Sequence, residues 1–318
     1  MHPVLTHENH FKFGYDGDWF RPRRNPDEIF TAQYGRCQRQ PQDFRSESIN
    51  AARLIRDATT DPIYVLYSGG VDSEVAMLSF MAARIPIKAA IMRFDDDLNL
   101  HDIAYAVRFC QRNKVPYQFF DIDIIDFLNN RLMDYMGPVH CTSPMTAAVM
   151  WLVDQIDGYP VIGQGECLLL RPELQRPKRI KEARVASYQG KEFTDNDWAL
   201  QESEMINAWY RHFLLRGREG VPGFHQYTPE QILCYIRDPG VLHMTQQNAV
   251  VTSESMKATI YRRHFDMAPR DKHTGYEKLA TTINKQHSYL LSLHGSWHNI
   301  YLFDYELLKS DLQPIGTE

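Results

Sequence analysis

From about residue 46 to residue 170 the apolar positions alternate between short continuous runs and stripes at helical spacing. "SESINAARLIRDAT" carries Ala51, Leu54 and Ile55 on one helical face, with a Ser or Glu placed to cap it. "IYVLY" (63–67) is a β-prone run of the kind buried on both faces of a parallel sheet, and "SEVAMLSFMAARI" (73–85) is a helix with Val75, Leu78 and Met81 inward. A second strand is predicted over "KAAIMRF" (88–94), then a loop and helix over "DDDLNLHDIAYAVRFCQRNKV" (95–115). "PYQFFDIDI" (116–124) is a third strand, "IDFLNNRLMDYMG" (125–137) and "SPMTAAVMWLVDQID" (143–157) are helices, and "YPVIGQGE" (159–166) is a fourth strand. Parallel neighbours require crossover helices, so this alternation predicts an α/β fold with a doubly wound parallel sheet.

The pattern changes on either side of that stretch. Residues 1–45, with "GYDGDWFRPRRNPDEIF", show no sustained period and are expected to form an irregular N-terminal arm. Residues 171–318 read as a mainly helical substrate or interaction region. Within it "TPEQILCYIRDPGVLHMTQ" and "SESMKATIYRRHF" are predicted helices, with capping signals at Thr228 and Ser253. The expected organisation is thus an arm (1–45), an α/β domain (46–170) and a helical part (171–318).

Composition adds limits rather than an activity. With 318 residues, 43% hydrophobic and 12% aromatic, the chain has enough apolar surface for a sizeable core. No run approaches the roughly 18 apolar residues of a membrane span, and the start lacks the basic-then-apolar order of a signal peptide, so no membrane partner and a cytoplasmic location are expected. Cys37, Cys110, Cys141, Cys167 and Cys234 are scattered, with no CxxC pair, which signals neither a disulfide framework nor a zinc site. His212, His264, His287, His294 and His298 show no metal-ligand spacing. A net charge of −5 argues against a surface built throughout to coat nucleic acid.

The chemistry is concentrated in "SGGVDS" (68–73), between the first predicted strand of the α/β stretch and its helix. Glycines at Gly69 and Gly70 let a backbone approach phosphate closely, successive N–H groups face one concavity, and the helix N-terminus adds about half a positive charge. The segment is neither GxxxxGK[ST], having no following Lys, nor GxGxxG. It has Ser68, Asp72 and Ser73 instead. A carboxylate beside a phosphate cradle is repelled unless it binds a cation, so Asp72 implies Mg²⁺ between itself and a polyphosphate. Ser68 and Ser73 are candidate hydroxyl donors to phosphate oxygens.

This segment resembles the SGGxDS signature of the PP-loop ATP pyrophosphatases, matching at Ser68, Gly69, Gly70, Asp72 and Ser73, with Val71 at the variable place. The resemblance implies an adenine nucleotide alpha hydrolase-like fold and ATP as a ligand, with the loop holding the β- and γ-phosphates. A substrate oxygen attacks the α-phosphorus, pyrophosphate leaves, and a nucleophile, often ammonia, displaces AMP. It also implies adenine at the end of the second strand of the α/β stretch, with Arg93 and Phe94 as candidates for its edge and face; a core role is the other place open to Phe94. "DDDLNLHDIAYAVRFC" (95–110) is weakly similar to the asparagine-synthetase-like branch, and Asp95, Asp96 and Asp97 are read as a solvated helix-start cluster.

Ligands of doubly wound sheets bind beyond the carboxyl ends of the strands, which puts Gln164, Gly165 and Glu166 near the crevice of Ser68. In the family a Gly-containing motif there faces phosphates or substrate, so Gly165 is a candidate nucleotide contact. Glu166 is a candidate second magnesium ligand or holder of a substrate amine, against a plain surface carboxylate. The family also recruits a late-loop cation to neutralise pyrophosphate. The candidates are Lys178, Arg179 and Lys181 in "RPKRIKEAR" and Arg270 and Lys272 in "APRDKHTGYEK", with Lys178 and Lys272 taken as catalytic beside Asp72.

Departures from the family narrow the expected activity. Position 2 is His, where a glutamine-hydrolysing asparagine synthetase has its nucleophilic Cys, and no glutaminase-like Cys–His arrangement or four-cysteine zinc site is present. Nitrogen, if transferred, comes as ammonia, as an amine, or from a separate nitrogen-donating partner. The expected function is an ATP- and Mg²⁺-dependent ligase or amidotransferase acting on a small-molecule carboxylate or carbonyl. A tRNA- or DNA-base-modifying enzyme, with "RPRR" and "RPKRIK" tracking phosphates, is the second reading, and a non-catalytic nucleotide-binding module the third.

Overall fold

The structure, a computed structural model, describes residues 5, 7–22, 24, 30–33, 35–141, 143–164, 185–188, 191–194, 197–238, 256–270, 275, 276, 278 and 279. Near the N-terminus β1 (Lys12–Tyr15) pairs antiparallel with both β2 (Asp18–Trp19) and β3 (Phe30–Gln33). The expected irregular arm therefore contains a small sheet. Asp16 and Gly17 have φ of 52° and 78°, the two positive values that a two-residue hairpin turn matching the strand twist requires. The strands it joins are too short to give a visible period of two.

Helix α1 (Phe44–Asp57) starts two residues before the expected Ser46, because Asp43 caps it by accepting the Ser46 N–H at 2.9 Å. Then come β4 (Ile63–Leu66), α2 (Val71–Ala82), β5 (Lys88–Phe94), α3 (Leu100–Asn113) and β6 (Tyr117–Ile122). The helix expected over 125–137 is interrupted: a short α4 (Ile124–Asp126) passes through a π turn at Phe127–Arg131 into α5 (Leu132–Val139). Helix α6 (Pro144–Gln155), capped by Ser143, leads to β7 (Tyr159–Ile162). Beyond it lie an antiparallel pair, β8 (Val185–Tyr188) and β9 (Lys191–Thr194), and helices α7 (Asp197–Arg216), α8 (Pro229–Arg237) and α9 (Met256–His264). Thr228 caps α8 as its sequence suggests; Ser253 lies outside the described residues.

Strands β4 to β7 form a parallel sheet in the order β6-β5-β4-β7. Side chains alternate across it. Ile63, Val65 and Tyr67 point to the face covered by α1, α2 and α3, whereas Tyr64 and Leu66 point to the face where α5, α6 and α7 contribute Met136, Leu152 and Phe213. The expected α/β, doubly wound parallel sheet is what forms. Beyond β7 the edge is continued by the segment after α7: Ile162 N–H donates to Val221 O and Val221 N–H to Pro160 O, both at 2.8 Å. Among the described residues, no helix is long and apolar enough to cross a membrane.

A third apolar cluster fixes the C-terminal helices. Tyr235 of α8 and Ala258, Ile260 and Tyr261 of α9, with Phe265 and Met267 just beyond, pack on Phe44 at the start of α1 and on Val71 and Val75 of α2. α9 thus comes to rest against the N-terminal end of α2, where the Gly-rich turn lies.

The segment before α1 is tied down by a buried charge. Glu47 is 0% exposed and receives two hydrogen bonds from Arg39, the one to Oε1 at 2.7 Å, together with the Gln42 N–H at 2.9 Å. Burial alone raises the Glu47 carboxyl, but the bonds from Arg39, Gln42 and Asn50 outweigh it and hold the group below its usual value of 4.5. A depressed carboxylate contributes stability that is complete above its unfolded pKa and is lost as pH falls through the native one. Glu47→Gln is expected to cost about 2 kcal/mol at pH 7, leaving the Arg39 fork underused. In urea unfolding the gap from wild type should narrow toward pH 3; a gap independent of pH would contradict the role given to the charge.

Candidate functional site

Between β4 and α2 the chain gathers polar groups at the point where strand order reverses, between β4 and β7. Crevices of this kind open beyond the carboxyl ends of the strands. Tyr67 extends β4 by one ladder bond to Ala90 O at 2.9 Å, and the chain then turns at Ser68–Gly70 into α2. Gly69 has φ +91°, and a Cβ there would lie 2.9 Å from the Asp102 carbonyl, so both conformation and space call for glycine. Gly70 N–H donates to Ser68 Oγ at 3.2 Å, Ser73 Oγ donates to Gly70 O at 3.1 Å, and the two hydroxyls are 3.4 Å apart.

No side chain caps α2, in contrast to α1, α6 and α8, whose N-termini are closed by Asp43, Ser143 and Thr228. A helix end of this kind, with its dipole, suits an anion. Ser68 is exposed, Asp72 half-buried and Ser73 buried at the same end. β7 closes the other side. A Cβ on Gly163 would be 2.6 Å from Ser73 Cα, so the exit of β7 lies against the first turn of α2. Gly163 was not singled out from the sequence, although "VIGQGE" marked its neighbourhood.

Two residues invisible to motif reasoning surround Asp72. Tyr261 of α9 donates its hydroxyl to Asp72 Oδ1 at 2.6 Å. His225 lies with Nε2 3.1 Å from the Asp72 carbonyl, a contact that needs the proton on Nε2, and its own N–H donates to Gln164 O at 3.3 Å. The rings of His225, Phe44 and Tyr261 form a near-parallel cluster, with pairwise centroid distances of 6.2 Å (Phe44–His225), 5.6 Å (His225–Tyr261) and 5.9 Å (Phe44–Tyr261). The signal for His225 is the glycine-flanked "EGVPGFHQY" after α7; that for Tyr261 is its inward position in "IYRRHF".

A buried triad lies behind the loop. Tyr67 donates to Glu74 Oε2 at 2.7 Å, Arg270 Nη2 is 2.5 Å from the same oxygen, and Arg270 Nη1 donates to the Gly69 carbonyl. Side-chain exposure is 7% for Arg270 and 3% for Glu74. Burial pulls the Arg270 guanidinium down, but the charge and hydrogen bonds of Glu74 more than offset this, so it stays above its usual value and charged. Burial, then the Glu74 charge, push the Tyr67 phenol upward, which keeps it a neutral donor. Arg270, a candidate to neutralise pyrophosphate, is engaged with Glu74 and the loop carbonyl.

The remaining sequence candidates are placed as follows. Arg93 forms a bidentate pair with Asp121, at 2.5 and 2.9 Å, and lies 4.5 Å from the Phe119 ring centroid. Phe94 occupies the core, 2% exposed and edge-on to Tyr276 at 5.1 Å. Asp95, Asp96 and Asp97 are all exposed, in keeping with a solvated cluster. Gly165, Glu166, Lys178, Arg179, Lys181 and Lys272 lie outside the described residues. Cys110 is fully buried, and burial followed by the Glu74 charge pushes its thiol up to about 12, as for a packed core thiol. Among the described residues, no three His, Cys, Asp or Glu side chains gather as a metal cage; Asp72 is a carboxylate at this helix end that could hold a Mg²⁺, an ion that usually takes one or two carboxylates with phosphate and water oxygens.

No family model matches the sequence, and no curated protein does. Among solved structures the chain is similar to the NH3-dependent NAD synthetase from Campylobacter jejuni, determined in complex with the nitrate ion. The identity is 14% and the TM-score 0.30, over 72% of this chain and 100% of that one. The α/β description given above rests on the sheet of this chain itself.

The contact between β7 and α2 can be tested directly. Gly163→Ala places a methyl 2.6 Å from backbone that cannot yield without shifting α2, and is expected to destabilise by about 1–3 kcal/mol. Chemical denaturation reads this, and an unshifted midpoint would mean that the two elements do not approach so closely.

Proposed function

We propose that the chain is an ATP-dependent, adenylate-forming ligase or amidotransferase acting on a carboxylate or carbonyl oxygen of a small molecule. The observation that carries this is the uncapped N-terminus of α2, opening from the Gly69–Gly70 turn with the Asp72 carboxylate at its mouth. An anion-binding helix end with an acidic side chain beside it is self-consistent when the anion arrives with a divalent cation. The SGGxDS resemblance supports reading that anion as the polyphosphate of ATP.

In the proposed reaction the loop amides, Ser68 and Ser73 hold the β- and γ-phosphates. The substrate oxygen attacks the α-phosphorus, the bond from that phosphorus to the bridging oxygen breaks, and pyrophosphate leaves with the electron pair. Ammonia or an amine, free or delivered by a separate partner, then attacks the activated carbon; the carbon–oxygen bond to AMP breaks and nitrogen releases its proton to solvent. Mg²⁺, held through Asp72, would neutralise charge that grows on the departing pyrophosphate. Tyr261 and His225 orient Asp72 through its carboxylate and its carbonyl. Lys178 and Lys272 are proposed to meet the leaving group, and Gly165 and Glu166 to line the β7 side of the crevice. Arg93 is proposed at the adenine edge, its plane already set by Asp121.

Of the basic arm, one arginine serves the fold rather than a ligand. Arg21 of "RPRR" is turned inward, 2.8 Å from Asp18 and bonded to the Tyr15 carbonyl at 3.0 Å. The test is pyrophosphate release with ATP, Mg²⁺, ammonia and a panel of carboxylates and nucleobases. Asp72→Asn keeps the volume and the Tyr261 acceptor but removes the charge, and is expected to lower pyrophosphate release by roughly 100- to 1000-fold without changing the thermal midpoint. Wild-type release by this variant would remove Asp72 from the mechanism.

A further inference from the structure

The peptide between Gly69 and Gly70 is the most easily turned element of the loop. Two adjacent glycines let its plane rotate at little steric cost. Turned the wrong way, it would aim the Gly69 carbonyl, a partial negative charge, toward the anion that the α2 N-terminus attracts. A guanidinium holds that carbonyl in place. Arg270 Nη1 donates to Gly69 O, its Nη2 is 2.5 Å from Glu74 Oε2, and the same Glu74 oxygen accepts from Tyr67 at 2.7 Å. Tyr67 lies one residue before the loop, Glu74 one residue after it, and Arg270 comes from the segment beyond α9. The three side chains therefore clasp both ends of the loop and its central peptide from the buried side.

Such a placement suits a lock better than a grasping cation. A residue that neutralises a departing pyrophosphate has to present its charge to the ligand, whereas the charge of Arg270 is answered at 2.5 Å by a carboxylate as buried as itself. We propose that Arg270 is a positioning residue: paired with Glu74, it keeps the Gly69 carbonyl turned to the guanidinium, so that the loop is set for phosphate before nucleotide arrives. This rests on the phosphate-binding reading above, and it moves Arg270 from the leaving group to the loop's own framework.

The test uses the full chain, with inorganic pyrophosphate plus Mg²⁺ and MgATP as probes in isothermal titration calorimetry, and a thermal melt beside each titration. Arg270→Met leaves Glu74 buried without its cation and is expected to lower the melting midpoint. Glu74→Gln/Arg270→Met removes both charges while leaving Tyr67 an acceptor, and buried pairs replaced together often keep stability. This double variant is expected to melt close to wild type yet bind pyrophosphate about tenfold more weakly, as loss of a charged hydrogen bond to the loop would dictate. Glu74→Gln alone separates the lock from a grasping role: a lock is loosened and affinity falls, whereas a cation freed to meet phosphate would bind it as tightly or more so. Pyrophosphate affinity at or above wild type in Glu74→Gln, or an unchanged affinity in the stable double variant, overturns the inference. A wild-type chain that binds neither probe overturns the phosphate-binding reading and the inference together.

Discussion

Glu74 lies in the first turn of α2 with its carboxylate out of water, and a carboxylate there cannot be left without a cation and donors. Tyr67, immediately before the loop, meets part of that need. The rest is met only when the distal segment returns across α2 and inserts Arg270. Much of the architecture follows from this return. The apolar residues of α8 and α9 close over Phe44, Val71 and Val75, and Tyr261 is carried to Asp72 on the same helix that leads to Arg270. On the opposite side, the absence of a side chain at Gly163 lets β7 meet the first turn of α2. The loop is thus held from three directions by parts of the chain far from it in sequence.

The parallel sheet was legible because its strands are buried on both faces. Continuous apolar runs such as "IYVL" separated by helical stripes leave few other arrangements, and the four strands and their crossover helices fall where those runs lie. Elements set by local hydrogen bonding were less visible. The Asp16–Gly17 turn joins strands too short to show alternation, α1 takes its cap from Asp43 rather than from the following Ser or Glu, and the π turn at Phe127–Arg131 has no signature in apolar spacing.

At the site the division is similar. Ser68, Gly69, Gly70, Asp72 and Ser73 are contiguous, so a sequence pattern can carry them and the structure brings them to one helix end. Gly163, His225, Tyr261 and the partnership of Arg270 with Glu74 are products of packing, and each residue type has ordinary uses elsewhere in a chain. Arg93 shows the converse. A cation at the end of a strand invites a ligand role from the sequence, whereas the fold shows its guanidinium held by Asp121 on the neighbouring strand and stacked over Phe119, which fixes its plane.

On the proposed reading, a Gly-rich loop on its own is a poor framework, because the freedom that would admit phosphate also admits unproductive conformers, and because Asp72 would oppose an anion at the helix end. Both problems are electrostatic and both have to be solved before the ligand arrives if binding energy is to be available for chemistry. The solutions come from one stretch of chain: Tyr261 orients the carboxylate and Arg270, nine residues later, orients the carbonyl. Coupling both to α9 means that the docking of a single helix sets the charge pattern at the mouth of α2. A change that loosened α9 at Ala258 or Ile260, or at Phe265 just beyond its end, would therefore disturb the carboxylate and the loop peptide together, even though none of those side chains lies in the crevice.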